Sequence, residues 1–99
     1  MAIMEISVVP LGTGQTGVGD YVADIINYLK QNAVSHTLTD MGTILEGEID
    51  QLLAVARILH ELPFQRNVWR VVTHIVIDDR RDKKVHLEDK IKAVTRRLS

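Results

Sequence analysis

Glu46 and Glu48, two residues apart near the middle of the chain, have the residue types and spacing that suit chemistry. A carboxylate pair can divide into general acid and general base when its surroundings separate the two proton affinities. Four histidines, His36, His60, His74 and His86, add imidazoles, but they are widely separated and meet only if the fold gathers them. An enzyme built here would need Glu46, His36 and His74 to converge. Against an enzyme, the chain has no cysteine and spells no serine–histidine–aspartate order, no H-E-x-x-H motif and no P-loop. It also lacks the ligand spacing of a structural metal site, so neither a metal nor another cofactor is expected. Both carboxylates have plainer roles available. Glu48 suits the first turn of a helix, where negative charge is favourable, and Glu46 suits a cross-strand partnership.

Gly12-Thr13-Gly14-Gln15-Thr16-Gly17 spells G-x-G-x-x-G between an extended stretch and a helical one. Such a loop can cradle a pyrophosphate on backbone N–H groups at a helix start. A dinucleotide site, however, needs two mononucleotide-binding halves and an acidic residue about 20 positions on, at the end of a second strand. This chain is too short for two such halves, no acidic residue ends a clear second strand at that distance, and the hairpin that follows contradicts a parallel topology. The loop is therefore read as a glycine-rich turn, with anion binding at the helix start left open.

The elements that must position these groups follow from periodicity. Ile3–Leu11 alternates as a strand, with Glu5, Ser7 and Val9 on one side and Ile6 and Val8 on the other; Pro10 should mark its end. Val18, Val22, Ile25, Ile26 and Leu29 recur at helical spacing and predict a helix from Gly19, its N-cap, to Gln31. Two short strands, 34–39 and 43–46, are joined through Asp40-Met41-Gly42, too briefly for a parallel crossover. Gly42 suits a positive φ at that turn.

Ile49, Leu52, Leu53, Ala56 and Leu59 predict a second helix over 48–62, ended by Leu62-Pro63 because a residue before proline avoids the helical region. The longest strand covers 68–79, with β-branched residues on both faces. A mixed charge run from Asp78 to Lys84 reads as a solvated loop. A last helix carries Leu87, Ile91, Val94 and Leu98 on one stripe, supported by a Glu88–Lys92 pair.

The order β-α-β-β-α-β plus a terminal helix is the ferredoxin-like pattern. The expected fold class is α+β, one domain over residues 1–99, with an antiparallel sheet covered by two helices on one face. Glu5, Ser7, Arg70, Val72, His74 and Val76 then share the uncovered face. Exposed apolar surface of this kind marks an interface, and a second copy of the chain is the simplest cover.

Composition narrows the classes further. Ninety-nine residues, 45% of them hydrophobic, suit one globular domain rather than a disordered chain. Twelve basic and 13 acidic residues give a formal net charge of −1, which offers no basic field for nucleic acid. RNA-recognition domains of the same strand order stack bases on aromatics, and the first and third strands have none. No apolar run approaches the ~20 residues of a membrane helix, and the first residues lack a secretory pattern. A cytoplasmic protein with no nucleic-acid or membrane partner is expected.

The run Met41-Gly42-Thr43-Ile44-Leu45-Glu46-Gly47-Glu48 resembles the signature of the MTH1187/YkoF-like family (UPF0045, DUF77), often called thiamine-binding proteins. Ile6–Gly12, Tyr21-Val22-Ala23, Arg70-Val71 and Asp79–Lys83 match in the same order, so the resemblance spans nearly the whole chain. It implies a non-catalytic binder of thiamine or its hydroxymethylpyrimidine half, assembled as a dimer or tetramer. Ser7, Thr43, Glu46, Arg70 and His74 are the candidate ligand-binding residues, with Thr43 and Glu46 offering a hydroxyl and a carboxylate to a ligand amine. The alternative is an oligomeric regulatory or interaction module whose ligand is not thiamine.

Overall fold

Alternation along the first strand decides the layering. In β1 (Ala2–Leu11) the side chains of Ala2, Met4, Ile6, Val8 and Pro10 are buried, while their odd-numbered neighbours are partly or wholly exposed. The computed structural model describes residues 1–15, 17–83 and 86–98. After β1 come α1 (Gly19–Gln31), β2 (Ser35–Thr39), β3 (Gly42–Gly47) and α2 (Ile49–Glu61). A 3-10 helix (Leu62–Arg66), β4 (Arg70–Asp79) and α3 (Asp89–Arg97) complete the order.

The four strands form one antiparallel sheet in the order β2-β3-β1-β4. Helices α1 and α2 press Ile25, Leu29, Leu52, Val55, Ala56 and Leu59 onto Met4, Ile6 and Leu45 of one sheet face. The α+β, ferredoxin-like architecture expected from the element order is therefore present, with α3 as the added terminal helix.

Several local expectations are corrected. Pro10 lies inside β1 rather than ending it, because beyond Ile6 the strand pairs only with β4 and is locally an edge, where a missing N–H is tolerated. The N-cap of α1 is Val18, not Gly19. Gly42 does not have a positive φ. Instead, a Cβ there would sit 3.0 Å from the Ile6 carbonyl oxygen, so close backbone approach is what requires glycine. Leu62 keeps helical angles before Pro63, and the chain tightens into the 3-10 helix instead of leaving helical space.

On α2, Val55 is buried and Leu53 is exposed, the reverse of the expected stripe. The Glu88–Lys92 pair is not among the ion pairs of the described residues. Thr16 of the glycine loop and Lys84 of the charge run lie outside those residues.

The end of α1 explains how the chain turns into β2. Val34 N–H donates to the Leu29 carbonyl and Ala33 N–H to that of Lys30, with Ala33 in the left-handed region at φ 53°. This is a Schellman closure with alanine where glycine is usual, clamped by burial of Val34 beside Leu29.

Candidate functional site

Register fixes what the uncovered face of the sheet presents. Glu5 lies opposite Ile44 and Val76, Ile3 opposite Glu46 and Asp78, and Ser7 opposite His74. Directly opposed residues point to the same side, so Ile3, Glu5, Ile44, Glu46, Val76 and Asp78 form one patch across three strands. Thr37 and Thr39 extend it onto β2. Residues 86–91, ahead of and within the first turn of α3, stand over this patch. Between them lies a hollow of about 450 Å³.

The hollow is built in two chemical zones. Ile3, Ile44, Val76, Leu87 and Ile91 supply apolar surface, and Glu5, Asp78 and Glu88 supply carboxylates against one ammonium, Lys90. Apolar walls with a few placed polar groups are the usual make-up of a small-molecule site. An excess of carboxylates in a half-enclosed space favours a cationic guest, because the apolar walls weaken screening by water.

A larger hollow, about 560 Å³, lies on the helix side of the same sheet end, among Met1, Glu48, Asp79, Arg80, Arg81 and Lys83. Its arginines are already engaged: Arg80 donates to Asp82 and Arg81 to Asp79. These contacts hold both aspartates below the ordinary carboxylate value. With its two arginines already paired and little apolar surface, it is the weaker candidate.

The structure separates the residues expected to share a ligand. Thr43 is 4% exposed on the helix-covered face, because three positions along a strand reverse the side. It cannot reach the same guest as Glu46. Ser7 and His74 face each other on the open side, about four residues or roughly 13 Å along β1 from the Ile3 end, and Arg70 lies further still.

Glu46 is engaged by its neighbours: Ser35 Oγ donates to one oxygen at 3.4 Å and His86 Nδ1 to the other at 2.6 Å. The enzyme-like convergence of Glu46 with His36 and His74 does not form. His36 lies on the other face, bonded to the Val34 carbonyl at 2.7 Å, and His74 sits beyond the patch.

Among the described residues no cluster of three or more His, Cys, Asp or Glu side chains is arranged to hold a metal ion. The glycine loop closes on itself, with Thr13 Oγ1 donating to the Gln15 carbonyl and accepting from its N–H. Gly12 and Gly14 take positive φ there.

The sequence pattern did not mark Asp78, Glu88 and Lys90 as wall residues, and His86 lies just before α3. Ile44 was legible from strand alternation. The position of α3 over the sheet was not, because nothing in its pattern says which surface it crosses. No aromatic ring of Tyr21, Tyr28, Phe64 or Trp69 lines the hollow.

The sequence profile of the thiamine-binding protein family matches residues 4–95. A UPF0045 protein of Bacillus subtilis, YqgV, is 44% identical over 102 residues, covering 99% of this chain and 98% of its own. The crystal structure of the protein MJ1052 from Methanocaldococcus jannaschii superposes with a TM-score of 0.83 at 35% identity, covering 95% of each chain. A DUF77 domain from Bacillus cereus gives 0.79 at 30% identity, over 91% of this chain and 86% of that one.

Proposed function

The chain belongs to the thiamine-binding protein family, and from that premise we propose that it binds thiamine, or its hydroxymethylpyrimidine half, without making or breaking a bond. The observation that carries this reading is the hollow on the open sheet face, where apolar surface meets three carboxylates. Thiamine matches both zones. Its thiazolium is a permanent cation for Glu5, Asp78 or Glu88, and its aminopyrimidine presents adjacent donors and acceptors. The threonine hydroxyls of Thr37 and Thr39 add groups able to donate and accept. In this reading Glu46 acts on the enclosure of the site, not on the ligand amine.

Self-association belongs to the same proposal. Val76 is 63% exposed, and Ile91 and Val94 of α3, with Leu98 just after it, are exposed too. Strand β4 ends the sheet with a ten-residue free edge, a template for pairing with another chain. Ser7, Arg70 and His74 lie on that exposed face, where a second copy would bring them partners and could bring an aromatic ring to the ligand.

Calorimetric titration with thiamine and with free hydroxymethylpyrimidine tests the reading. Saturable heat at a fixed stoichiometry per chain is expected, and Asp78→Asn with Glu5→Gln should weaken thiamine about tenfold or more. Retained affinity for the neutral pyrimidine in that variant would assign the carboxylates to the thiazolium. A folded protein giving no heat with either compound would leave the second reading, an oligomeric module with a different ligand, which the apolar stripe of α3 favours.

A further inference from the structure

The bond between His86 and Glu46 joins two segments forty residues apart, and it stands at the rim of the hollow. An ionised carboxylate only accepts, so the imidazole donates from Nδ1. The Glu46 side chain is 11% exposed and accepts a second hydrogen bond, from Ser35 Oγ at 3.4 Å, on its other oxygen.

Helix α3 has little else to hold it. None of its residues is buried, and Ile91 is 64% exposed. The remaining side-chain hydrogen bonds of the segment are internal: the His86 backbone N–H donates to Asp89, and Arg97 donates to the Ala93 carbonyl. Among the described residues, His86–Glu46 is the one side-chain hydrogen bond that ties the segment to the sheet.

Glu88, between His86 and the helix, sits in the left-handed region at φ 72°, a conformation that residues with a Cβ adopt only at a cost. The chain bends sharply there and directs α3 across the sheet. That bend, which nothing in α3 itself stabilises by burial, places Leu87, Lys90 and Ile91 along the hollow.

We infer that His86 is a positioning residue for the ligand site. Through Glu46 it holds the first turn of α3 against the sheet and so supplies one whole wall of the hollow. The inference rests on the hollow being the ligand site. It also gives Glu46 a role distinct from touching the guest, as the anchor of the wall.

The test compares wild type with His86→Ala, His86→Gln and Glu46→Gln in three measurements on the full chain. These are amide hydrogen exchange of residues 89–97 without ligand, the thermal midpoint, and thiamine affinity by calorimetry. His86→Ala should raise exchange in α3 by tenfold or more while the strands stay protected and the midpoint holds, since no residue of α3 is fully buried. Thiamine affinity should fall about tenfold, the size expected for loss of one charge-assisted contact. His86→Gln, which keeps a donor within reach of Glu46, should recover much of both losses.

Unchanged α3 protection in His86→Ala would overturn the inference. So would a general loss of protection in the strands together with a lowered midpoint, which would mean a structural residue and no more. If wild type takes up no thiamine, the ligand reading fails separately. The exchange comparison then still decides the tie: lost α3 protection upholds it and retained protection refutes it.

Discussion

Leu45 and Ile44 are neighbours on β3 and live in different solvents. Leu45 is wholly buried under α1 and α2, whereas Ile44 faces the open side and the hollow. The same contrast runs through β1, where Met4 and Ile6 are core and Ile3 and Glu5 are wall. One face of the sheet is filled by the chain's own helices and carries the stability. The other mixes apolar groups with carboxylates and, among the described residues, is covered only by residues 86–91 at the start of α3. A face that folding does not need to bury is free to hold groups that folding would not tolerate, such as Glu5 and Asp78 beside Val76.

The largest test of that division is a pair of truncations. Leu45→Ala should cost about 2–5 kcal/mol of folding stability, as loss of a buried leucine does, measured by denaturant unfolding. Ile44→Ala should cost less than about 1.5 kcal/mol and instead weaken ligand uptake. Equal losses for the two would break the comparison.

Next comes Gly42→Ala, whose Cβ would meet the Ile6 carbonyl oxygen at 3.0 Å. Backbone cannot swing aside as a side chain can, so about 1–3 kcal/mol should be lost. Val76→Glu should leave the folding midpoint of the isolated chain nearly unchanged and abolish self-association in sedimentation, because the added charge has no partner in an apolar contact.

The smallest effect lies in the helix layer. Arg66 donates two hydrogen bonds to Asp24, 2.6 and 3.0 Å long, and holds that carboxyl below its ordinary value. A lowered carboxylate pKa contributes stability that is complete above the ordinary value and is lost as pH falls through the lowered one, below about pH 4. Arg66→Ala should therefore cost a few degrees of thermal midpoint at most at neutral pH, less in high salt, and nothing in strong acid. The proposed ligand site, on the opposite face, should not register the change.

Much of this division could be read from the sequence. Helix α1 runs from Gly19 to Gln31 as its apolar spacing predicts, and β2 and β3 pair antiparallel as a connection too short for a parallel crossover requires. Alternation also put Glu5, Ser7, His74 and Val76 on one side of the sheet. What escaped were features set by tertiary contact.

Thr43 and Glu46 share a motif, yet strand parity sends them to opposite faces, so membership of one signature was a poor guide to a shared site. Ala33 closes a helix in a conformation that sequence would assign to glycine, because burial of Val34 outweighs local preference. His86 finds Glu46 only once the chain beyond β4 has folded back, and no local pattern encodes that return.

Where a ligand lands on the sheet decides between the two faces. Backbone chemical shifts should be followed by nuclear magnetic resonance as thiamine is titrated into the assigned protein. The largest changes should fall on Ile3, Glu5, Ile44, Val76, Asp78 and the first turn of α3, with Leu45, Leu52 and Leu59 quiet. Changes centred instead on the glycine loop after β1, or on the charged hollow at the start of α2, would contradict it.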